Sequence, residues 1–116
     1  MDHREILRRL AIGDTSFLED VAASETGPLA ASGLDAKTDA FARLGASVAL
    51  DASPAGYQAD VDAAFAAGAT TGEIVGVLIA VRPTVGLARV VSAAPALGLA
   101  VGYDPDAALE QLDPIE

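Results

Sequence analysis

The stretch from Tyr57 to Val81, YQADVDAAFAAGATTGEIVGVLIAV, constrains the fold of this chain more than any other. Residues in its first half follow the i, i+4, i+7, i+8, i+11 spacing of one apolar helical face. These residues are Tyr57, Val61, Ala64, Phe65 and Gly68. Gly68 can also adopt the left-handed conformation that ends a helix without a steric penalty. The pattern therefore predicts a helix that ends near Gly68.

A second helix is predicted directly after this stop. Thr70-Thr71-Gly72-Glu73 has the Thr-x-x-Glu spacing of a capping box. In that motif the Thr70 hydroxyl accepts the Glu73 backbone N–H, and the Glu73 carboxylate accepts the Thr70 N–H. An apolar run from Ile74 to Val81 follows at once. The two halves together predict a helical hairpin.

The residues AAFAAGATTGEIVGVL within this hairpin resemble the signature of the carboxymuconolactone decarboxylase and alkylhydroperoxidase D-like superfamily. Leu34 and Lys37 reproduce the Leu-x-x-Lys that opens the preceding helix in that family, and the resemblance covers residues 34–97. It implies an all-α, alkylhydroperoxidase D-like bundle of about six helices. Ala-rich apolar sequence with few aromatic residues indicates a core completed by self-association. We therefore expect a homo-oligomer, which the resemblance implies to be a trimer or a hexamer.

We expect three regions: an N-terminal helical extension over 1–33, the family-like helical domain over 34–102, and an acidic tail over 103–116. The extension is predicted to contain a helix over 2–12 capped by Asp2, a short helix capped by Asp14 or Thr15, and a linker over 25–34. A helix from Asp35 to Leu50 follows. Thr84 is predicted to cap a last helix that stops or kinks near Ala94, before Pro95. A short helix is expected over 106–112.

Composition excludes several classes of function. The chain has 116 residues, a formal net charge of −10 and no Cys, so disulfides, thiol peroxidase chemistry and thiolate metal sites are excluded. A single His cannot form a His-based metal site within one chain. The acidity argues against nucleic acid as a partner, and charged residues interrupt every apolar run long enough to suggest a membrane span. We expect a cytoplasmic protein without a cofactor.

The resemblance also identifies where the chemistry of the family would lie. The peroxidase motif Cys-x-x-Cys-x-x-x-His falls on Ser53, Gly56 and Asp60, all of which differ from it. Ser53 precedes Pro54 and is better explained as a helix N-cap than as a nucleophile. In the decarboxylase branch, Asp60 occupies the first expected His position and Ala80 the second. A buried Asp60 could carry a proton, although a carboxylate at the rim paired with Arg is the favoured alternative.

Arg82 and Arg89 are the only bases after Arg43, and both lie in apolar sequence. They could bind a small carboxylated ligand together with Tyr57, or they could form structural ion pairs, which we favour. Tyr57 is better explained as a core residue.

Three glycines in predicted helical sequence are explained by helix packing. We expect Gly45, Gly76 and Gly86 to mark close contacts between helices.

Two functions remain open from the sequence. The first is a small-ligand-binding or assembly protein that lacks peroxidase activity. The alternative is a cofactor-free decarboxylase or isomerase acting on a small carboxylated or lactone substrate, with Asp60 as proton carrier and Arg82 or Arg89 binding the anion.

Overall fold

A computed structural model of the chain describes residues 2–23 and 27–103, most of which are helical. The seven helices are α1 (His3–Ala11), α2 (Ser16–Ala22), α3 (Gly27–Ser32), α4 (Ala36–Leu50), α5 (Pro54–Ala66), α6 (Thr71–Val85) and α7 (Leu87–Ala100). No strand occurs in the described ranges, which confirms the all-α prediction. The chain divides into two compact units, Met1–Asp35 and Ala36–Glu116.

The first unit contains three short helices without a fully buried side chain. The predicted cap of α1 is confirmed, because the Asp2 carboxylate accepts the Glu5 backbone N–H. The predicted linker over 25–34 is wrong where Gly27–Ser32 form α3. Pro28 lies in the first turn of α3, where a helix needs no backbone donor, and Ala30 and Ala31 favour helix. Residues 25 and 26 of that linker lie outside the described ranges.

The second unit is a four-helix bundle in which each helix packs on two neighbours, in the cyclic order α4, α5, α7, α6. Helix α4 begins directly after Asp35 and ends at Leu50, as predicted. Each helix contributes one apolar face to a single core. The core residues are Ala40, Leu44, Val48, Tyr57, Val61, Ala64, Ala69, Ile74, Val77, Leu78, Ala93 and Leu97.

The helical hairpin predicted from the sequence is confirmed. Helix α5 ends before Gly68, which has a φ of +90°, and both hydrogen bonds of the Thr70–Glu73 capping box are present. The predicted apolar face of α5 is right for Tyr57, Val61 and Ala64 but wrong for Phe65, which is 40% exposed. Phe65 follows Tyr57 by eight residues, which is slightly more than two helical turns. Its side chain therefore lies at the edge of the face of α5 that packs on the core.

Pro83 lies inside α6 and Pro95 lies inside α7, so the two helix boundaries predicted near them are wrong. Helix α6 runs through Pro83 to Val85, and α7 begins after Gly86 rather than at a Thr84 cap. Helix α7 likewise continues past Pro95 to Ala100, so the stop near Ala94 is wrong, and the alternative of a kink there stays a prediction. Packing of the inner helix faces against the core outweighs the one backbone hydrogen bond that each proline removes.

The three glycine predictions have different outcomes. A Cβ at Gly45 would lie 3.2 Å from Val81 Cγ1, which confirms a close contact between α4 and α6. The expectation is wrong for Gly76 and Gly86, which have no atom within 4 Å of a Cβ position. Gly86 is required instead for its φ of +89°, which separates α6 from α7.

Two further expectations concern the ends of the described chain. The helix predicted over 106–112 lies outside the described ranges. Within those ranges, no helix is both long enough and apolar enough to cross a membrane.

Candidate functional site

Three of the four predicted site residues lie around the carboxyl end of α4. Tyr57 and Asp60 project from α5, and Arg89 projects from α7, toward Ser47 and Asp51. Ser92 of α7 completes the group through a hydrogen bond to Asp51. We call these six residues the polar cluster.

Asp60 is half-buried and has a specific partner in α4. Its Oδ2 accepts a hydrogen bond from Ser47 Oγ at 2.5 Å. No Arg or Lys of the described ranges forms an ion pair with it. Asp62, two residues later, is exposed and accepts a hydrogen bond from Gln58, as the helical wheel predicts for a residue farther from the apolar face of α5 than Asp60.

Tyr57 is a core residue with a polar end. Its ring is buried and its hydroxyl donates to the Ser47 carbonyl at 3.3 Å. Burial raises the pKa of Tyr57, and the charges of Asp51 and Asp60 raise it further, whereas Arg89 lowers it. The phenol is therefore neutral at physiological pH and serves as a hydrogen-bond donor.

Asp51 connects the α4–α5 junction to α7. It has a φ of +54°, a left-handed conformation that Asp tolerates better than most residues. Its Oδ1 accepts from Ser92 Oγ at 3.0 Å, and its Oδ2 lies 3.5 Å from Arg89 Nη1. The structural ion pair favoured for Arg89 is therefore present, with Asp51 as its partner.

The polar groups of this cluster mostly bind one another, so the chemistry open to them is narrow. Ser47 donates its hydroxyl to the Asp60 carboxylate, which is a weaker base than the imidazole that activates a catalytic serine, and the cluster contains no His. Ser53 accepts the Gly56 N–H as an N-cap, which is the structural role predicted for it. No group of His, Cys, Asp and Glu in the described ranges could hold a metal ion.

Arg82 is not brought to this site. It is exposed in the last turn of α6 and forms no ion pair with another described residue. The expectation that Arg82 binds a ligand carboxylate therefore stays a prediction.

A shallow apolar groove lies between α4 and α6, with a volume of about 540 Å³. Its lining residues are Thr38, Phe41, Ala42, Glu73, Gly76, Val77, Ala80 and Val81. Lys37 Nζ lies 2.6 Å from the Glu73 carboxylate, and this contact together with the capping hydrogen bond lowers the pKa of Glu73. None of the predicted site residues lines the groove.

A second apolar cavity, of about 610 Å³, lies within the first unit among α1, α2 and α3. Ile6, Leu10, Phe17 and Val21 line it, and it contains no charged residue. Its lining therefore offers no group for acid–base or nucleophilic chemistry.

Helices α6 and α7 also expose apolar side chains on the side away from the core. Along α7, Leu87, Val91 and Leu99 are 56%, 62% and 61% exposed, and Pro95 between them is exposed as well. We call these four residues of α7 the outer stripe. Val75 and Ile79 are exposed in the same way on α6. Helices that are apolar on every side normally lie inside a larger core.

Sequence reasoning missed this stripe and half of the polar cluster. The i, i+4, i+8, i+12 spacing of the stripe was readable, but only the structure shows which face of α7 points into the core. Ser47, Asp51 and Ser92 carried no local signal, because their partners are 13 or 41 residues away along the chain.

Comparisons with protein-family models, with curated proteins and with solved structures found no match to this chain.

Proposed function

We propose that this chain is a carboxymuconolactone decarboxylase-like protein that has no peroxidase activity and acts as an assembly protein, associating with copies of itself. In this proposal it is a cytoplasmic homo-oligomer, a trimer or a hexamer. The observation that carries the proposal is the apolar outer surface of α6 and α7, where large side chains are exposed on the side away from the core.

The arrangement and the low charge of this surface support the proposal. Scattered exposed apolar residues are normal, but a run of them along two neighbouring helices is typical of a protein–protein contact. Residues 74–103 contain Arg82 and Arg89 as their only charged side chains. Interface centres are depleted of charge in the same way.

The absence of peroxidase activity follows from chemistry. A thiol peroxidase needs a thiolate that attacks the peroxide and a second thiol that resolves the intermediate. The chain has no Cys, and Ser53 and Gly56 replace the two thiols at the positions implied by the resemblance. Ser53 is also engaged as the N-cap of α5.

A small apolar ligand is the second candidate function, and the α4–α6 groove favours it. Its volume lies within the usual range for ligand sites, and its lining is mostly apolar with one carboxylate at the edge. The groove is open and shallow, however, and the Glu73 carboxylate there is already paired with Lys37. The outer surface of α6 and α7 therefore supports assembly better than the groove supports ligand binding.

The cofactor-free lyase has less support. A proton-carrying Asp60 would face a substrate pocket with a cationic group opposite it. Asp60 accepts from Ser47 instead, Arg89 pairs with Asp51, and neither cavity described above includes them.

Multi-angle light scattering on the purified chain, over a wide range of concentrations, tests the proposal. We expect a molar mass of about three or six times that of the 11.6 kDa chain. A single-chain mass at every concentration would refute self-association. Hydrogen peroxide consumption measured on the same sample should not exceed that of buffer.

A further inference from the structure

The outer stripe of α7 has a geometry that fits a second copy of itself. Leu87, Val91, Pro95 and Leu99 follow one another at i+4 and so form a single ridge along the helix. The helix has 14 residues, which makes the ridge about 20 Å long. A ridge of this kind needs a matching groove on whatever covers it.

Small residues lie on both sides of this ridge. Ala88, Ser92 and Ala96 form the next i+4 row on one side, and Ala94 and Gly98 belong to the row on the other. The helix therefore carries both a ridge of large side chains and shallow grooves beside it. Two copies of α7 can insert the ridge of each into the groove of the other, the packing mode that gives a crossing angle of about −50°.

Charge favours a second copy as the occupant. Each chain carries a net charge of −10, so most approaches of two copies bring like charges together. All 17 acidic residues lie outside 74–103. The outer stripe itself therefore contains no carboxylate, and Asp51, whose carboxylate binds Ser92 in the adjacent row, is paired there with Arg89.

We propose that the outer stripe is a two-fold interface, in which α7 of one copy packs across α7 of a second copy with the crossing point between Val91 and Pro95. This inference rests on the proposed self-association and names the surface that forms it. A two-fold contact is isologous and builds assemblies with an even number of chains. It therefore favours the hexamer over the trimer.

The first experiment compares the masses of two charge-introducing variants with that of the wild-type chain. Val91→Glu puts a carboxylate at the crossing point, and Leu50→Glu is the matched control, since Leu50 is 79% exposed at the end of α4. We expect Leu50→Glu to keep the wild-type mass. Val91→Glu should weaken association by roughly tenfold or more, because each contact would bury two facing carboxylates.

The outcomes separate this inference from the function on which it rests. A wild-type oligomer that Val91→Glu leaves intact would overturn the α7 interface while self-association stands. A wild-type monomer would overturn both. Circular dichroism establishes that each variant is folded before its mass is interpreted.

Cysteine cross-linking tests the same interface without introducing a charge. The chain contains no Cys, so Val91→Cys creates a single thiol, and an added copper–phenanthroline oxidant accepts the two electrons released when two thiols form one disulfide. Equivalent residues at a two-fold crossing point approach closely enough for a disulfide. We expect covalent dimers from Val91→Cys and none from Leu50→Cys. Equal yields from the two variants would overturn the interface.

Discussion

Helix α7 presents two different surfaces outside the core. The side chains of one have partners within the same chain, whereas those of the other are exposed. On one side, Ser92 and Arg89 bind Asp51, which ties α7 to the α4–α5 junction. On the other side, Leu87, Val91 and Leu99 are exposed to solvent. The polar side is satisfied by the chain itself, whereas the apolar side is not.

This difference indicates where a function is to be sought. A polar cluster that is ready for catalysis leaves at least one group directed at the substrate. Here Asp60, Tyr57 and Arg89 are engaged with other side chains or with backbone atoms. Exposed apolar side chains, in contrast, gain free energy when a partner removes them from water. The geometry therefore supports the proposed assembly more directly than it supports catalysis.

The largest expected effect separates the inner and outer faces of α7 with two leucines of one helix. Leu97 is 1% exposed, so Leu97→Ala should reduce the free energy of unfolding by about 2–5 kcal/mol through lost burial and a cavity. Leu99→Ala should change it by less than about 0.5 kcal/mol. Urea unfolding measures both, in the presence of Val91→Glu so that association does not contribute.

A large loss of stability in Leu99→Ala under these conditions would show that the outer stripe supports the fold of a single chain. The distinction between the two faces of α7 would then fail.

The next effect tests the polar cluster with a matched pair on α5. Asp60→Ala removes the acceptor of the Ser47 hydroxyl in a half-buried setting, which should cost about 1–3 kcal/mol of unfolding free energy. Asp62→Ala removes an exposed contact with Gln58 and should cost less than about 0.5 kcal/mol. Thermal or urea unfolding distinguishes them. Equal losses would mean that the Ser47–Asp60 contact contributes no more than a surface contact.

The smallest effect concerns pH, which should act on polar contacts and leave the outer stripe unchanged. The pKa of Glu73 is lowered from 4.5 by Lys37 and by the Thr70 N–H. A carboxylate whose pKa is lower in the folded state than in the unfolded state stabilises the fold at pH values above its unfolded-state pKa. This stabilisation is lost as pH falls through the folded-state pKa. Glu73→Gln should therefore be less stable than wild type at neutral pH. The difference should begin to shrink as pH falls below 4.5 and should disappear below the lowered pKa of Glu73 in the folded protein.

Urea titrations of wild type and Glu73→Gln at several pH values measure this difference. A gap between the two proteins that widens as pH falls would contradict the assigned ion pair.

The sequence predicts those parts of the fold that local chemistry determines. The Gly68 stop, the Thr70–Glu73 capping box and the Ser53 cap involve residues within a few positions of one another, and all three are present. The helix boundaries predicted near Pro83 and Pro95 are wrong, because core packing keeps α6 and α7 helical through these prolines. That effect of tertiary contacts is not visible in a local window.

The candidate site was predictable only in part, for the same reason. Asp60 could be distinguished from Asp62 by its position on the helical wheel. Its Ser47 partner and the Asp51–Ser92 contact depend on how separate helices pack, so no local pattern announces them. The outer stripe has an i+4 spacing that the sequence shows, but its exposure depends on the packing of the bundle.

The most direct test of the account is the dependence of the melting temperature on protein concentration. Association of folded chains stabilises the folded state by mass action, so the melting temperature of wild type should rise with concentration. Val91→Glu, which disrupts the α7 contact, should melt at the same temperature at every concentration. A wild-type melting temperature that does not change with concentration, and that matches Val91→Glu throughout, would contradict the claim that a second copy covers the outer stripe.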